Sequence, residues 1–100
     1  MDRIERVRMV AEQQGVSLAE YLVLHISTAF AMTAEEAGGF VTKSLQKSAY
    51  ADVDGAAAVQ SCIVKGWVGF SPSGRLILVG AGLNLAHAIS AELTTPPSGG

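Results

Sequence analysis

The chain has 100 residues, 49% of them hydrophobic and 16% charged, with seven Lys and Arg against nine Asp and Glu. This length holds one domain, not the several of a large enzyme, and the composition is far from the low-hydrophobicity, high-charge signature of disorder. A formal net charge of −2 leaves no global positive field to draw nucleic acid, so any DNA binding has to use a local patch.

The single cysteine, Cys62, allows no intramolecular disulfide and fits a reducing, cytoplasmic setting. Asp2, Arg3, Glu5, Arg6 and Arg8 interrupt the first residues where an export signal needs a continuous apolar run. The longest uncharged stretch, 76–91, is broken by Gly80, Gly82, Asn84 and His87 and is shorter than the roughly 20 apolar residues of a membrane span. It reads as core, and no membrane association is expected.

Ile4, Val7, Val10 and Ala11 recur at helical spacing, and Gly15 supplies a stop, so a first amphipathic helix is predicted over 3–11. Ser17-Leu18-Ala19-Glu20 has the S-x-x-E form of a capping box, with Val16 and Tyr21 placed as a hydrophobic staple. The helix it opens runs toward Phe30 and is apolar nearly all round, as suits a helix surrounded by its neighbours. Thr33-Ala34-Glu35-Glu36 repeats the capping grammar for a third helix continuing toward Ser48. Glycine costs roughly 1 kcal/mol relative to Ala inside a helix, so the pair Gly38-Gly39 implies either a closely packed neighbour or a late helix start. Asp52 and Asp54 are alternative N-caps for a fourth helix that ends at Lys65-Gly66.

Beyond Gly66 the pattern changes. Trp67-Val68-Gly69-Phe70 and Arg75-Leu76-Ile77-Leu78-Val79 bracket Ser71-Pro72-Ser73-Gly74, a sequence suited to a type I turn, and predict a β-hairpin. A last helix is predicted over 83–93, followed by a tail of small residues and breakers, 94–100, expected to be disordered. The fold class is therefore mainly α with one β-hairpin (α+β), in a single domain over 1–93.

Over about 56–93, Cys62-Ile63-Val64-Lys65-Gly66-Trp67-Val68, Ser73-Gly74-Arg75-Leu76-Ile77-Leu78 and Ala81-Gly82 resemble the pattern of small bacterial regulators similar to the MarR and PadR families. The resemblance implies a winged helix-turn-helix domain. It would make 54–65 the recognition helix, 67–79 the wing, and 83–93 a helix that often joins a dimer interface. Two departures stand out: Val79 replaces the usual helix-starting Thr, and the link 48–53 is longer than a standard turn.

On this reading Lys43, Lys47 and Lys65 would anchor the phosphate backbone, Arg75 beside the wing turn would enter a minor groove, and Gln60 and Ser61 would read bases. Asp52, Asp54 and the run Ala56-Ala57-Ala58 oppose it, and an alanine-rich face instead suits a close protein contact. Two functions are therefore expected in competition: a DNA-binding transcriptional regulator acting on double-stranded DNA, or a winged-helix adaptor or inhibitor that binds protein.

No catalytic, metal or cofactor constellation is read. His25 and His87 are taken as structural, and Cys62 as a buried hydrophobe. Gly80-Ala81-Gly82 imitates a dinucleotide fingerprint but has Leu85 at the third glycine position. The two terminal helices are expected to offer a homodimer interface.

Overall fold

Two capping boxes set the helical frame of the protein, for which a computed structural model describes residues 3–94. The elements follow in the order α1 (Arg3–Gln13), α2 (Leu18–Ala29), α3 (Ala34–Leu45), α4 (Gly55–Val64), β1 (Val68–Phe70), β2 (Leu76–Leu78) and α5 (Ala81–Thr94). This is a mostly helical α+β arrangement with one short antiparallel hairpin. Thr94 closes α5, and the rest of the tail expected to be disordered lies outside the described residues.

Ser17 accepts from the Glu20 backbone N–H while the Glu20 carboxylate accepts from the Ser17 N–H. Thr33 and Glu36 repeat that exchange at α3. Each box satisfies orphan donors at a helix start, which is why both starts are readable from four residues. Between the two competing caps of α4, Asp54 is the one used, accepting from the Ala56 N–H at 3.0 Å.

The apolar girth of α2 is explained by its surroundings: it packs against α1, α3, α4, α5 and β2. Val23, Leu24 and Ile26 are fully buried there, together with Val41, Cys62, Leu76 and Ile89 from the surrounding elements. The glycine pair in α3 has a neighbour on one side only. Gly38 faces Gly55, where a Cβ would lie 1.9 Å from the Gly38 carbonyl oxygen, whereas Gly39 points into open space. The N–H of Gly55 also donates to Thr42 Oγ1 at 3.0 Å, so α4 begins wedged against the middle of α3.

Gly66, at φ +75°, ends α4 and delivers the chain into the hairpin, which pairs Val68 with Leu78 and Phe70 with Leu76. A further rung comes from the loop before α3, where Met32 O accepts from the Leu76 N–H at 2.8 Å. Gly82 seats the start of α5 on the hairpin, since a Cβ there would lie 2.0 Å from the Trp67 carbonyl oxygen. His25 and His87 are both exposed, on α2 and α5, and the His25 ring lies 5.9 Å from that of Tyr21. Among the described residues no helix is long and apolar enough to cross a membrane.

Candidate functional site

α4 has an inner and an outer face, and the residues predicted to act on DNA divide between them. Ala58, Val59 and Cys62 point into the core, while Ala57, Gln60 and Val64, three and four residues apart, share the outer side. Val64 is 76% exposed, the most open of the large hydrophobic side chains. Asp52 and Asp54 lie exposed at the start of the helix.

Ser61 and Lys65 turn toward α2. Both donate to the same oxygen of Glu20, Ser61 Oγ at 2.5 Å and Lys65 Nζ at 2.8 Å, and the Lys65 ammonium also lies 4.8 Å from the centre of the Trp67 ring. Glu20 is only 5% exposed. Burial by itself pushes its carboxyl up, but hydrogen bonds from Lys65, Ser61 and the Ser17 N–H outweigh that and hold it below its ordinary value. One carboxylate thus caps α2 through one oxygen and fastens α4 through the other. If Lys65 left for a phosphate, a nearly buried carboxylate would lose its charged donor, a cost that opposes the exchange.

Arg75 is committed in a similar way. Its Nη1 donates to Ala31 O at 2.7 Å and lies 3.5 Å from Glu36 Oε1, which ties the hairpin to the loop and cap of α3. Glu36 is held below its ordinary value, first by its hydrogen bonds with Thr33 and to a lesser extent by the Arg75 charge. Lys43, Lys47 and Gln60 are exposed, and their side chains make no hydrogen bond or ion pair among the described residues. Of the six predicted contact residues, therefore, three face solvent without a side-chain partner among the described residues and three, Ser61, Lys65 and Arg75, have partners within the chain.

Cys62 lies against the same node, its Sγ 3.7 Å from Glu20 O. Burial, followed by the nearby Glu20 charge, pushes its thiol up to about 12, so at neutral pH it is protonated and a poor nucleophile. Among the described residues, no group of three or more His, Cys, Asp or Glu side chains is placed to hold a metal ion.

Sequence reasoning missed the apolar side chains around this region. Phe70 is 51% exposed on β1, Ile77 is exposed on β2, and Phe30 is exposed just before the Met32 rung. The 57, 60, 64 spacing was available as a signal for the outer face of α4. The hairpin positions needed the register, which pairs Gly69 with Ile77 and leaves Ile77 without a large partner across the strand. No protein-family pattern, curated protein or solved structure matches this chain.

Proposed function

We propose that this is a winged-helix domain that recognises another protein through the outer face of α4 and the adjoining hairpin. The order α2, Met32 rung, α3, α4, hairpin supports the winged-helix reading, with α4 as the recognition helix and the hairpin as the wing. One observation carries the choice of partner: the outward surface of α4 is Ala57, Gln60 and Val64, while Ser61 and Lys65 are spent on Glu20. Small and apolar side chains with little charge suit the core of a protein interface, and clustered exposed hydrophobics mark such surfaces.

A second reading, a DNA-binding regulator, draws support from Lys43 and Lys47, free and exposed at the end of α3 and just beyond it, and from Gln60. In that mode the two lysines anchor phosphates and Gln60 reads a base, with Ser61, Lys65 and Arg75 acting only after giving up their internal partners.

Salt separates the two. Backbone amide NMR with a short mixed-sequence duplex is expected to give no saturable shifts at low salt. Shifts at Lys43, Lys47 and Gln60 that fade as salt rises, the mark of counterion release, would install the DNA reading instead. Self-association through the terminal helices belongs to the same proposal. α1 and α5 already pack on each other within one chain, with Arg6 donating to Glu92 O at 3.3 Å, and a monomeric mass by light scattering across a wide concentration range would remove the homodimer.

A further inference from the structure

The hairpin has a buried face and an open one. Val68 and Leu76 point inward and are each 2% exposed, so the pleat turns Gly69 and Ile77, which pair across the strands, to the outer face. The rungs on either side set Trp67 opposite Val79, whose N–H donates to Trp67 O at 3.0 Å, and Ser71 opposite Arg75, with the Ser71 N–H donating to Arg75 O at 2.8 Å. Ile77 is 42% exposed, and none of its atoms lies within 4 Å of where a Gly69 Cβ would stand.

Nothing in the fold asks for glycine at position 69. Its backbone is outside the left-handed region, and an added Cβ would make only ordinary contacts, at 3.4 and 3.7 Å, with the Val79 methyl groups. Glycine inside a strand weakens it and often marks a place where another chain approaches closely. Here it leaves a notch walled by Val79, directly across the strands from the protruding Ile77. A knob and a hole therefore stand side by side on one surface.

Such a surface fits a copy of itself. A twofold axis parallel to the strands and midway between them lays β1 of one copy over β2 of the other. Ile77 of each copy then faces Gly69 of the other, Trp67 faces Val79, and Ser71 faces Arg75. Neither nearby cation brings an unpaired charge to the contact, because Lys65 is held by Glu20 and Arg75 lies beside Glu36.

We infer that the outer face of the hairpin is a self-recognition surface on which two copies of this chain dock reciprocally, Ile77 of each in the notch at Gly69 of the other. Two strands of three residues present a patch well short of the about 800 Å² per partner of a standard interface, so the dimer is weak and reversible. The inference gives the hairpin's part of the proposed recognition surface to a second copy, and it holds whatever α4 recognises.

The test is sedimentation equilibrium and amide NMR of the full chain from micromolar to millimolar concentration. The mass is expected to rise toward that of a dimer, with concentration-dependent shifts centred on residues 67–71 and 75–79. Gly69→Ala, which fills the notch, is expected to hold or raise the melting temperature while weakening association at least about tenfold, and Ile77→Ala to weaken it by a similar factor. An equimolar mixture of the two variants keeps one Ile77 with one open notch and should associate more tightly than either variant alone. The inference is overturned if the chain stays monomeric to millimolar concentration, if the shifts centre on α1 and α5, if either variant associates like the wild type, or if the mixture is no tighter than its components.

Discussion

The two faces of α4 contrast sharply. The inner face is fixed at both ends, at its start by the glycine contact between Gly38 and Gly55 and near its finish by Ser61 and Lys65 on Glu20. The outer face, Ala57, Gln60 and Val64, is exposed. The outer face carries no charged side chain, and the one cation at the end of the helix, Lys65, is turned back onto Glu20. The contrast gives each substitution on α4 and its supports a definite sign.

The largest effect is expected at the glycine contact. In Gly55→Ala a Cβ would stand 1.9 Å from the Gly38 carbonyl oxygen, a clash between backbones that no side-chain rotation relieves. Overpacking of this kind typically costs about 1–3 kcal/mol and sometimes more, so urea unfolding should show a loss at or above the upper end of that range. A loss under about 0.5 kcal/mol, the level of an ordinary surface substitution, would mean that α3 and α4 are not in backbone contact.

Next comes Glu20→Gln, which keeps a capping side chain but removes the charge facing Lys65. Breaking a buried pair costs about 3–5 kcal/mol, but Lys65 is half exposed, so about 1–3 kcal/mol is expected. The pH dependence has a fixed sign. Because the folded carboxyl lies below its ordinary value of 4.5, its contribution is present above that pH and is lost as pH falls through the folded value. The stability gap between wild type and Glu20→Gln should therefore narrow in acid, and a gap that stays constant down to low pH would remove the charged node.

Gly39→Ala should act in the opposite direction. This position lies inside α3 with nothing within 4 Å of the added carbon, so a gain of about 0.5–1 kcal/mol is expected from helix propensity. Equal losses at positions 39 and 55 would erase the distinction between the exposed and the contacting glycine. The smallest effect on stability is expected for Val64→Ser, near zero by thermal melting because the side chain is 76% exposed. A clear drop in its melting temperature would show that Val64 packs within the chain.

Features written in neighbouring residues were legible in advance. Ser17 with Glu20, Thr33 with Glu36, and Gly66 after Lys65 each close a local hydrogen-bonded unit, and the sequence spacing alone specifies them. The glycine pair could be read only as a choice, because the contact that decides it, Gly38 with Gly55, joins separate helices. The candidate site was the least legible part. Glu20 was readable as a cap, but its second oxygen serves Ser61 and Lys65, which are more than forty residues away. Arg75 likewise looks free beside its turn and is held by Ala31 and Glu36. Composition counts a cation without saying whether the fold has already used it.

The most direct test of the proposed recognition face is a photo-activated cross-linking residue placed at Val64, with Gln14, exposed in the loop after α1, as the control position. In the cells that make the protein, position 64 should capture one discrete protein partner that position 14 does not, and Ala57→Arg on the same face should abolish the capture. Equal labelling from both positions, or capture of DNA from position 64, would contradict the account.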